Sequence, residues 1–572
     1  GGGALVDGGR ASSTVVERLY IGEPSDAGGS AGLLPWGDVP WRAWAPTLAL
    51  WCGVAVLLSL ATLALAVIVH PQWSRRELLA YPIARFVQEV AARAPGRALP
   101  DVARRPAFWV ALGLVLTVYV VNGLNSYFPD VPQVRLTLPF DPLRDLLPNA
   151  ARVALSYGAF SPKVFFSVIG FAYFLPTAVS LSLGLAHWAF LAFGALLVSN
   201  GVPMEYDKSA PVKMNLMRFG SYTGLAVMMA YTGRRYYGNI VAAMFGRRRL
   251  AETPRVSVWA GWAVVALSLA SAALLVAGGL AWDLAVALVA VVLLLQLVFA
   301  RIVSETGAFF LSAPFLPFAV MWGLLGFEAI GATGLIMLAL ASWLLVGDPR
   351  EQLMPYLSTG LKLTEGGGTE GGDARPAVRG PVVALLAGVV VMSMLVAGYV
   401  TLHLQYGQGL AAGNDGTMRG VPVGVFNNVV NELQEATHSG NPAAATAAAP
   451  LTRVTHLRPI EGAWSWTMVG LLLVVTCAAA RYRLPWWPIH PVLFLMWGTY
   501  ASANFALSFF LGWAIKAAVT GSGGVRTYNA GKPIMVGLVA GELLGALLWI
   551  VVGAAYYLVQ GVSPPRFLVF PG

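Results

Sequence analysis

Two oppositely charged residues stand alone in a long apolar stretch of this chain. Between Asp283 and Glu328 lie 44 residues, of which only Arg301 and Glu305 carry a formal charge. Four residues apart on a helix, the two side chains share one face and can form an ion pair. Charges inside a membrane span are costly, usually face the bundle interior and mark substrate or ion paths. The pair therefore indicates a gate or a substrate clamp. Alternatively, Arg301 ends the span 284–303 at the cytoplasmic interface, with Glu305 as its local partner.

Two further ionisable residues interrupt apolar stretches nearer the end of the chain. Glu542 lies inside the run 534–558, too deep for its side chain to reach water easily. A lone intramembrane carboxylate suits a proton-coupling site, and the alternative is a hydrogen bond between helices. Lys516 ends the run 489–515, where it is either an anchor at the cytoplasmic interface or a ligand contact.

Three uncharged polar candidates complete the set. His187, in "LGLAHWAF", is either a switch that titrates near neutral pH or a buried histidine of the core. Asn122 and Asn125 lie near the outer end of the apolar run 107–128. They either line an entrance for a solute or cap the end of a helix.

The elements that carry these residues follow from composition. The chain of 572 residues is 57% hydrophobic and 11% charged, whereas soluble domains carry about 25% charged residues. Several uncharged runs reach the roughly 20 residues that cross a bilayer as a helix. Examples are 46–69, 107–128, 256–282 and 462–480. We therefore expect an all-α polytopic membrane protein.

Other classes of protein are disfavoured by what the sequence contains. The two cysteines lie in apolar runs, and the six histidines have no metal-ligand spacing. We find no phosphate loop, nucleophile elbow or zincin motif, so we expect no metal, no cofactor and no enzyme activity. The net charge of +10 comes from arginines between hydrophobic runs. Lipid headgroups explain this distribution better than nucleic acid.

Charge also sets the expected orientation, because cytoplasmic loops are enriched in lysine and arginine. Segment 71–106 has seven arginines against three acids, and 234–255 has six against one, so we place both in the cytoplasm. Segment 405–461 has three arginines against four acids and is placed outside. Residues 1–45 are also expected outside, in a chain that we expect to lack residues upstream.

This orientation requires three paired crossings. The regions 164–204, 306–347 and 489–515 are long, apolar and interrupted by proline or glycine. We interpret each as a hairpin of two broken or re-entrant helices, which are tolerated only where protein or a water-filled cavity satisfies the freed backbone groups. Eight full spans and three such pairs give about 14 transmembrane segments.

An internal repeat suggests two related halves. "SNGVPMEYDKSAP" (199–211) is similar to "SGGVRTYNAGKP" (522–533), and each follows an interrupted apolar run. The first copy is expected outside and the second inside, so the halves would be inverted, as in many secondary transporters. The predicted divisions are a first transmembrane half, 46–347, a cytoplasmic linker, 348–380, and a second transmembrane half, 381–572.

Five stretches read together resemble the bacterial relatives of the oligopeptide transporter superfamily. They are "RELLAYPIARFVQEV", "SPKVFFSVIGFAYFLP", "ARIVSETGAFF", "RLPWWPIHPVLF" and "GGVRTYNAGKPIMVGLVAGE". The resemblance runs from about residue 40 to 560. It implies proton-coupled uptake of small peptides, peptide-like solutes or metal chelates by a fold of two related halves. The Lys-Ile-Pro-Pro-Arg and Asn-Pro-Gly motifs of well-studied members are absent from this sequence.

The sequence thus predicts a secondary transporter of the bacterial cytoplasmic membrane. Arg301 and Glu305 would gate or clamp the solute, and Glu542 would carry the proton. The expected partners are the bilayer, a small solute and a proton. The alternative is a membrane scaffold or accessory subunit, in which 405–461 docks a second copy or another protein.

Overall fold

Among the residues that it describes, a computed structural model of the chain has helices, loops and one short antiparallel pair of strands, β1 (Val6–Asp7) and β2 (Arg10–Ala11). It describes residues 6–7, 10–11, 13–22, 39–93, 96, 100–247, 255–348, 352–365, 378–410, 413, 416–438, 448–450, 452–565 and 567–570. Within these residues, eight helices are long and apolar enough to cross a membrane. The predicted all-α class is confirmed, and the apolar helices indicate a membrane protein.

The helices of the first part are α1 (Ser13–Ile21), α2 (Trp41–Pro71), α3 (Pro82–Ala91), α4 (Pro106–Tyr127), α5 (Asp141–Leu146), α6 (Pro148–Ala151), α7 (Tyr157–Phe160), α8 (Phe166–Ala172), α9 (Thr177–Ser199), α10 (Lys213–Thr232) and α11 (Arg234–Met244). Those of the second part are α12 (Arg255–Ala277), α13 (Trp282–Thr306), α14 (Pro317–Leu325), α15 (Phe327–Ile330), α16 (Ala332–Val346), α17 (Leu353–Glu365), α18 (Gly380–Gln408), α19 (Val421–His438), α20 (Ala463–Arg483), α21 (Val492–Met496) and α22 (Tyr500–Gln560).

All three regions predicted as hairpins contain interrupted helices. In 164–204, the short α8 is followed by a break and then by α9. The region 306–347 is unwound after α13 and then forms α14, α15 and α16. In 489–515, α21 and α22 are separated by residues 497–499, and α22 continues well beyond residue 515.

Helix α22 is itself two helices joined at a kink. Gly524 has φ 61° and ψ −154°, a conformation that is essentially restricted to glycine. The kink divides α22 into a first part, 500–523, and a second part, 525–560. The predicted repeat "SGGVRTYNAGKP" therefore spans a sharp bend between two helices.

The stretch "RRELLAYPIARFVQEV" (75–90) has apolar residues at helical spacing with arginines on the other side, which predicts an amphipathic helix along the membrane. The helix is shorter in the structure. Residues Gln72–Arg76 form a π-helical turn that continues α2, and α3 begins only at Pro82. Between them, Leu78 and Tyr81 have positive φ angles of 51° and 42°, which no helix accommodates. The chain thus turns sharply before α3, and this turn brings Glu77 towards α13.

The hydrophobic core surrounds α13, whose Leu288, Leu295 and Phe299 are fully buried. Helix α2 packs against α12, α17 and α18, and α17 also packs against α13. The predicted linker 348–380 therefore contains a packed helix, although the Gly-rich stretch 366–372 lies outside the described residues. Helix α18 has an exposed apolar surface that includes Leu385, Met392 and Leu395.

Candidate functional site

Arg301 lies between two carboxylates. Its Nε atom donates to Oε2 of Glu305 over 2.7 Å, and its Nη1 atom donates to Oε2 of Glu77. Only 12% of the Arg301 side chain is exposed. The predicted pair with Glu305 is therefore present. Arg301 also binds Glu77 in the turn that precedes α3. A residue that only ended a span, with Glu305 as its local partner, would not need this contact.

Glu305 has a second partner from the other end of the chain. Its Oε1 atom lies 3.1 Å from Nε2 of His490. The backbone N–H of Val492 donates to Nδ1 of His490 over 3.1 Å, so Nδ1 accepts and Nε2 carries the hydrogen. His490 thus donates to Glu305. The backbone N–H of His490 donates to Oγ of Ser182 on α9 over 2.7 Å, which places the residue just before α21.

This group of charges lines a cavity of about 310 Å³. Arg301, Glu305 and His490 form part of its wall, and the rest comes from α10, α13, α20 and α21. Tyr482, near the end of α20, also lines the cavity and is 92% exposed. The cavity therefore opens beside Tyr482, and its size is at the lower end of that of small-molecule sites.

A second cluster supports the turn that carries Glu77. Gln72 Nε2 donates to the other oxygen of Glu77 over 3.0 Å. The backbone N–H of Tyr81 donates to the carbonyl of Ser304 on α13 over 2.8 Å. The hydroxyl of Tyr81 lies 3.2 Å from Nδ1 of His70. These bonds join α2, the turn and α13. They therefore fix the position of Glu77 relative to Arg301.

Glu365, at the end of α17, belongs to the same cluster. Its carboxylate accepts from Ser74 Oγ at 2.5 Å and from Lys362 Nζ at 2.9 Å, and His70 Nε2 lies 3.5 Å away. Burial alone would raise the pKa of Glu365, but the hydrogen bonds with His70, Ser74 and Lys362 outweigh it and lower the pKa to about 2. Glu365 is therefore an anion at neutral pH that fastens α17 to α2.

Glu542, whose side chain is fully buried, lies in a separate cluster. The hydroxyl of Tyr119 donates to Oε1, and the backbone N–H of Ser167 donates to Oε2 over 2.5 Å. Ser167 is in the first turn of α8, where backbone N–H groups have no partner within the helix. Glu542 therefore joins α22 to α4 and α8, whereas Arg301 and Glu305 lie on α13.

Lys516 is inside the first part of α22, where its ammonium donates to the carbonyl of Leu175. That carbonyl lies in the break between α8 and α9. Lysine thus supplies a donor to a backbone group that the interrupted helix leaves without an intrahelical partner.

The remaining three predicted residues do not line the cavity beside Glu305. Asn122 exchanges two bonds with the backbone of Val134, of 2.9 and 2.7 Å, and Asn125 donates to the carbonyl of Val131 over 2.7 Å. Both amides therefore fasten the loop after α4 to the end of that helix. His187 is fully buried in α9, with its ring centroid 6.3 Å from that of Phe190.

The sequence analysis missed Arg218 on α10, a cation that is almost completely buried. Its guanidinium donates to the carbonyls of Pro314, at 3.2 Å, and of Gly498, and to the amide oxygen of Asn215, at 3.3 Å. Pro314 lies in the unwound chain after α13, and Gly498 lies in the break between α21 and α22. The sequence does contain an indication of this buried cation, because Arg218 is the one charged residue in the apolar run 216–233.

Within the described part of the chain, no group of three or more His, Cys, Asp or Glu side chains could hold a metal ion. No curated protein matches the chain. One family model matches residues 9–562, which is almost the whole length. The chain therefore belongs to DUF6785, described as a family of unknown function.

Proposed function

We propose that the protein is a proton-coupled secondary transporter of the cytoplasmic membrane, which carries small peptides, peptide-like solutes or metal chelates. The observation that carries this proposal is the hydrogen bond between Glu305 and His490 in the wall of the cavity. It links α13 to the interrupted pair α21–α22. Interrupted helices with ionisable groups beside a cavity are typical of carrier sites. The resemblance to bacterial relatives of oligopeptide transporters supplies the solute class.

Reciprocal packing supports two related halves. Helix α8 packs against α22, and α21 packs against α9. Helix α10, which follows α9, packs along α20, and the second part of α22 packs along α4. Each group of helices thus packs on corresponding helices of the other group. Such contacts are expected if α4–α8–α9–α10 and α20–α21–α22 are two copies of one unit related by a two-fold axis.

The direction of these contacts supports inverted halves. A Cβ added at Gly220 would meet Thr467, and one at Gly224 would meet Leu471, so α10 and α20 run parallel. By the same measure, Gly537 faces Phe108 and Gly545 faces Tyr119, so α4 and the second part of α22 also run parallel. The chain after α4 also meets the chain before α10, because the backbone N–H of Ala154 donates to the carbonyl of Met204 over 3.2 Å. Helix α10 would then run opposite to α4, and α20, which is parallel to α10, would run opposite to α4, its counterpart in the other unit. This fits the proposal of about 14 segments with one unit inverted relative to the other.

The ionisable pair supplies a coupling mechanism. In the structure, Glu305 accepts from both Arg301 and His490. When His490 passes its Nε2 proton to Glu305 and takes up another proton from water, the Glu305 carboxylate is neutralised and releases the Nε–H of Arg301, while Glu77 keeps Arg301 in place. The carboxylate of a peptide can then bind Arg301, because guanidinium groups bind carboxylates through two parallel hydrogen bonds. Proton and solute are coupled because anionic Glu305 and the solute compete for the same donor.

Reconstituted protein tests the proposal directly. Proteoliposomes containing a pH-sensitive dye are offered radiolabelled di- and tripeptides and one peptide-like metal chelate, with and without an acidic exterior. We expect solute accumulation together with proton entry, both lost in His490→Gln. His438→Gln, which changes an exposed histidine of α19, is the matched control. Absence of uptake for every solute, with a partner protein co-purifying in fixed ratio, would favour a scaffold instead.

A further inference from the structure

A second cavity, of about 360 Å³, lies beside the surface helix α3. Its wall comes from α3, from the break between α8 and α9, and from α22 on both sides of the kink at Gly524. The charged residues in that wall are Arg85, Glu89, Lys516 and Lys532. Three cations against one carboxylate leave a formal charge of +2, so the chemistry of this cavity favours an anion.

The hydrogen-bond donors of these cations are only partly used. Lys532 Nζ lies 3.0 Å from both carboxylate oxygens of Glu89. Lys516 donates to the carbonyl of Leu175, and an ammonium group has three N–H donors. The Arg85 guanidinium, which has five, makes no hydrogen bond or ion pair with any residue that the structure describes. Donors therefore remain for a ligand that brings negative charge and several acceptor atoms.

An aromatic wall holds two of the cations in place. The ammonium groups of Lys516 and Lys532 lie 5.3 and 5.7 Å from the ring centroid of Tyr528. That ring stacks on Tyr173 at 4.8 Å, and the Tyr173 hydroxyl donates to the carbonyl of Tyr528 over 2.9 Å. Cation–π contacts of this kind restrict each lysine to a small region. The cavity is thus organised before any ligand enters.

We propose that this cavity binds a phosphate group, supplied either by the headgroup of an anionic phospholipid or by free phosphate. Arginine and lysine are the residues that bind phosphate oxygens through charge-assisted hydrogen bonds. Basic pockets next to membrane helices on the cytoplasmic side take phospholipid headgroups. The amphipathic helix α3 has Pro82 and Ala84 buried and Arg85 exposed, which is the pattern expected of a helix at the level of such headgroups.

An occupant would connect three parts of the fold. Arg85 belongs to α3, and Lys516 also holds the carbonyl of Leu175 at the break between α8 and α9. Lys532 belongs to the second part of α22, beyond the kink. A bound phosphate that contacts all three would fasten the surface helix to an interrupted helix pair, and it would therefore stabilise the folded protein.

The test uses the purified full chain in a neutral detergent and measures the thermal midpoint of unfolding. Sodium phosphate is titrated against sodium chloride of equal ionic strength. In parallel, short-chain phosphatidylglycerol is compared with short-chain phosphatidylcholine, whose choline group neutralises the phosphate. The variants are Arg85→Gln and Lys532→Gln. Arg93→Gln is the matched control, because Arg93 is exposed, lies just beyond α3 and does not line the cavity.

We expect phosphate or phosphatidylglycerol to raise the midpoint of the unmodified protein and of Arg93→Gln. In Arg85→Gln and Lys532→Gln, the apparent dissociation constant should rise about tenfold or more, since each loses a charged hydrogen bond. A response to phosphate salt identifies free phosphate as a ligand, and a response to phosphatidylglycerol alone identifies the headgroup. No response to either, or equal weakening in Arg85→Gln and Arg93→Gln, would overturn the proposal. No transport is measured, so failure here leaves the proposed carrier function untouched.

Discussion

Glu305 and His490, which are 185 residues apart in the chain, share a hydrogen bond of 3.1 Å. This bond connects α13 to the residues just before α21, where the chain is not helical. Each partner is fixed by other contacts: Arg301 holds Glu305, and Val492 and Ser182 hold His490. A change of protonation at this bond therefore acts on two elements that the rest of the fold positions separately.

Glu305→Gln removes the charge and keeps the volume. Arg301 would retain Glu77 as a partner, so we expect the protein to fold. Uptake driven by an acidic exterior should fall at least tenfold, because glutamine cannot take up and release a proton. Proteoliposome uptake with a pH-sensitive dye measures both fluxes. Glu461→Gln removes an exposed carboxylate and should leave them unchanged; normal proton entry in Glu305→Gln would exclude Glu305 from coupling.

Glu542→Gln separates an anchoring role from a proton-carrying one. Its carboxylate accepts from Tyr119 and from Ser167, and a glutamine places an N–H₂ group against one of these donors. We expect the free energy of unfolding to fall by about 1–3 kcal/mol, with uptake per folded molecule still dependent on the pH gradient. Tyr119→Phe should reproduce part of the loss. Gradient-independent uptake at unchanged stability would instead support the proton-carrying role predicted from the sequence.

The kink in α22 depends on one glycine. At Gly524, with φ 61° and ψ −154°, an alanine would be strained by about 1–3 kcal/mol. Gly524→Ala should therefore lower the thermal midpoint in detergent. The control Gly521→Ala is at an exposed helical position with no neighbour within 4 Å, and it should stabilise by roughly 0.5–1 kcal/mol. Equal midpoints for the two variants would mean that the kink is not strained by a side chain.

Glu365 makes part of the stability depend on pH. Its pKa is lowered from 4.5 to about 2 in the folded protein, so folding favours the anion. The corresponding stability is complete above pH 4.5 and is lost as the pH falls from 4.5 to 2. Thermal midpoints across this interval should fall less steeply in Glu365→Gln than in the unmodified protein. Parallel curves would show that the carboxylate has no favourable partners in the fold.

Local pattern accounts for what the sequence could predict. Arg301 and Glu305 are four residues apart on one helix, so their pairing follows from helix geometry alone. The breaks in the three apolar regions follow from proline and glycine. His490 and Glu77 could not be found in this way, because they lie 185 and 224 residues from their partners. Contacts between residues so far apart in the chain depend on how the helices pack against one another. The periodicity of the sequence does not predict that packing.

Arg218 is a buried cation that pairs with backbone carbonyls and with no carboxylate among the described residues. Its fork of N–H donors binds carbonyls in two separate breaks, at Pro314 and Gly498. A lysine carries a single ammonium group on a flexible stem and cannot reproduce that fork. We therefore expect Arg218→Lys to release at least one break while the positive charge is kept.

Hydrogen–deuterium exchange, followed by mass spectrometry, should then be faster in 307–316 and 497–499 and unchanged in α13. The exposed Arg234→Lys is the matched control, since it tests the same substitution at the first residue of the next helix, α11. Unaltered exchange in both segments would mean that helix packing holds the breaks without Arg218. Faster exchange there would show that one guanidinium ties the unwound chain after α13 to the break before α22, whereas the Glu305–His490 bond connects α13 itself to the residues just before α21.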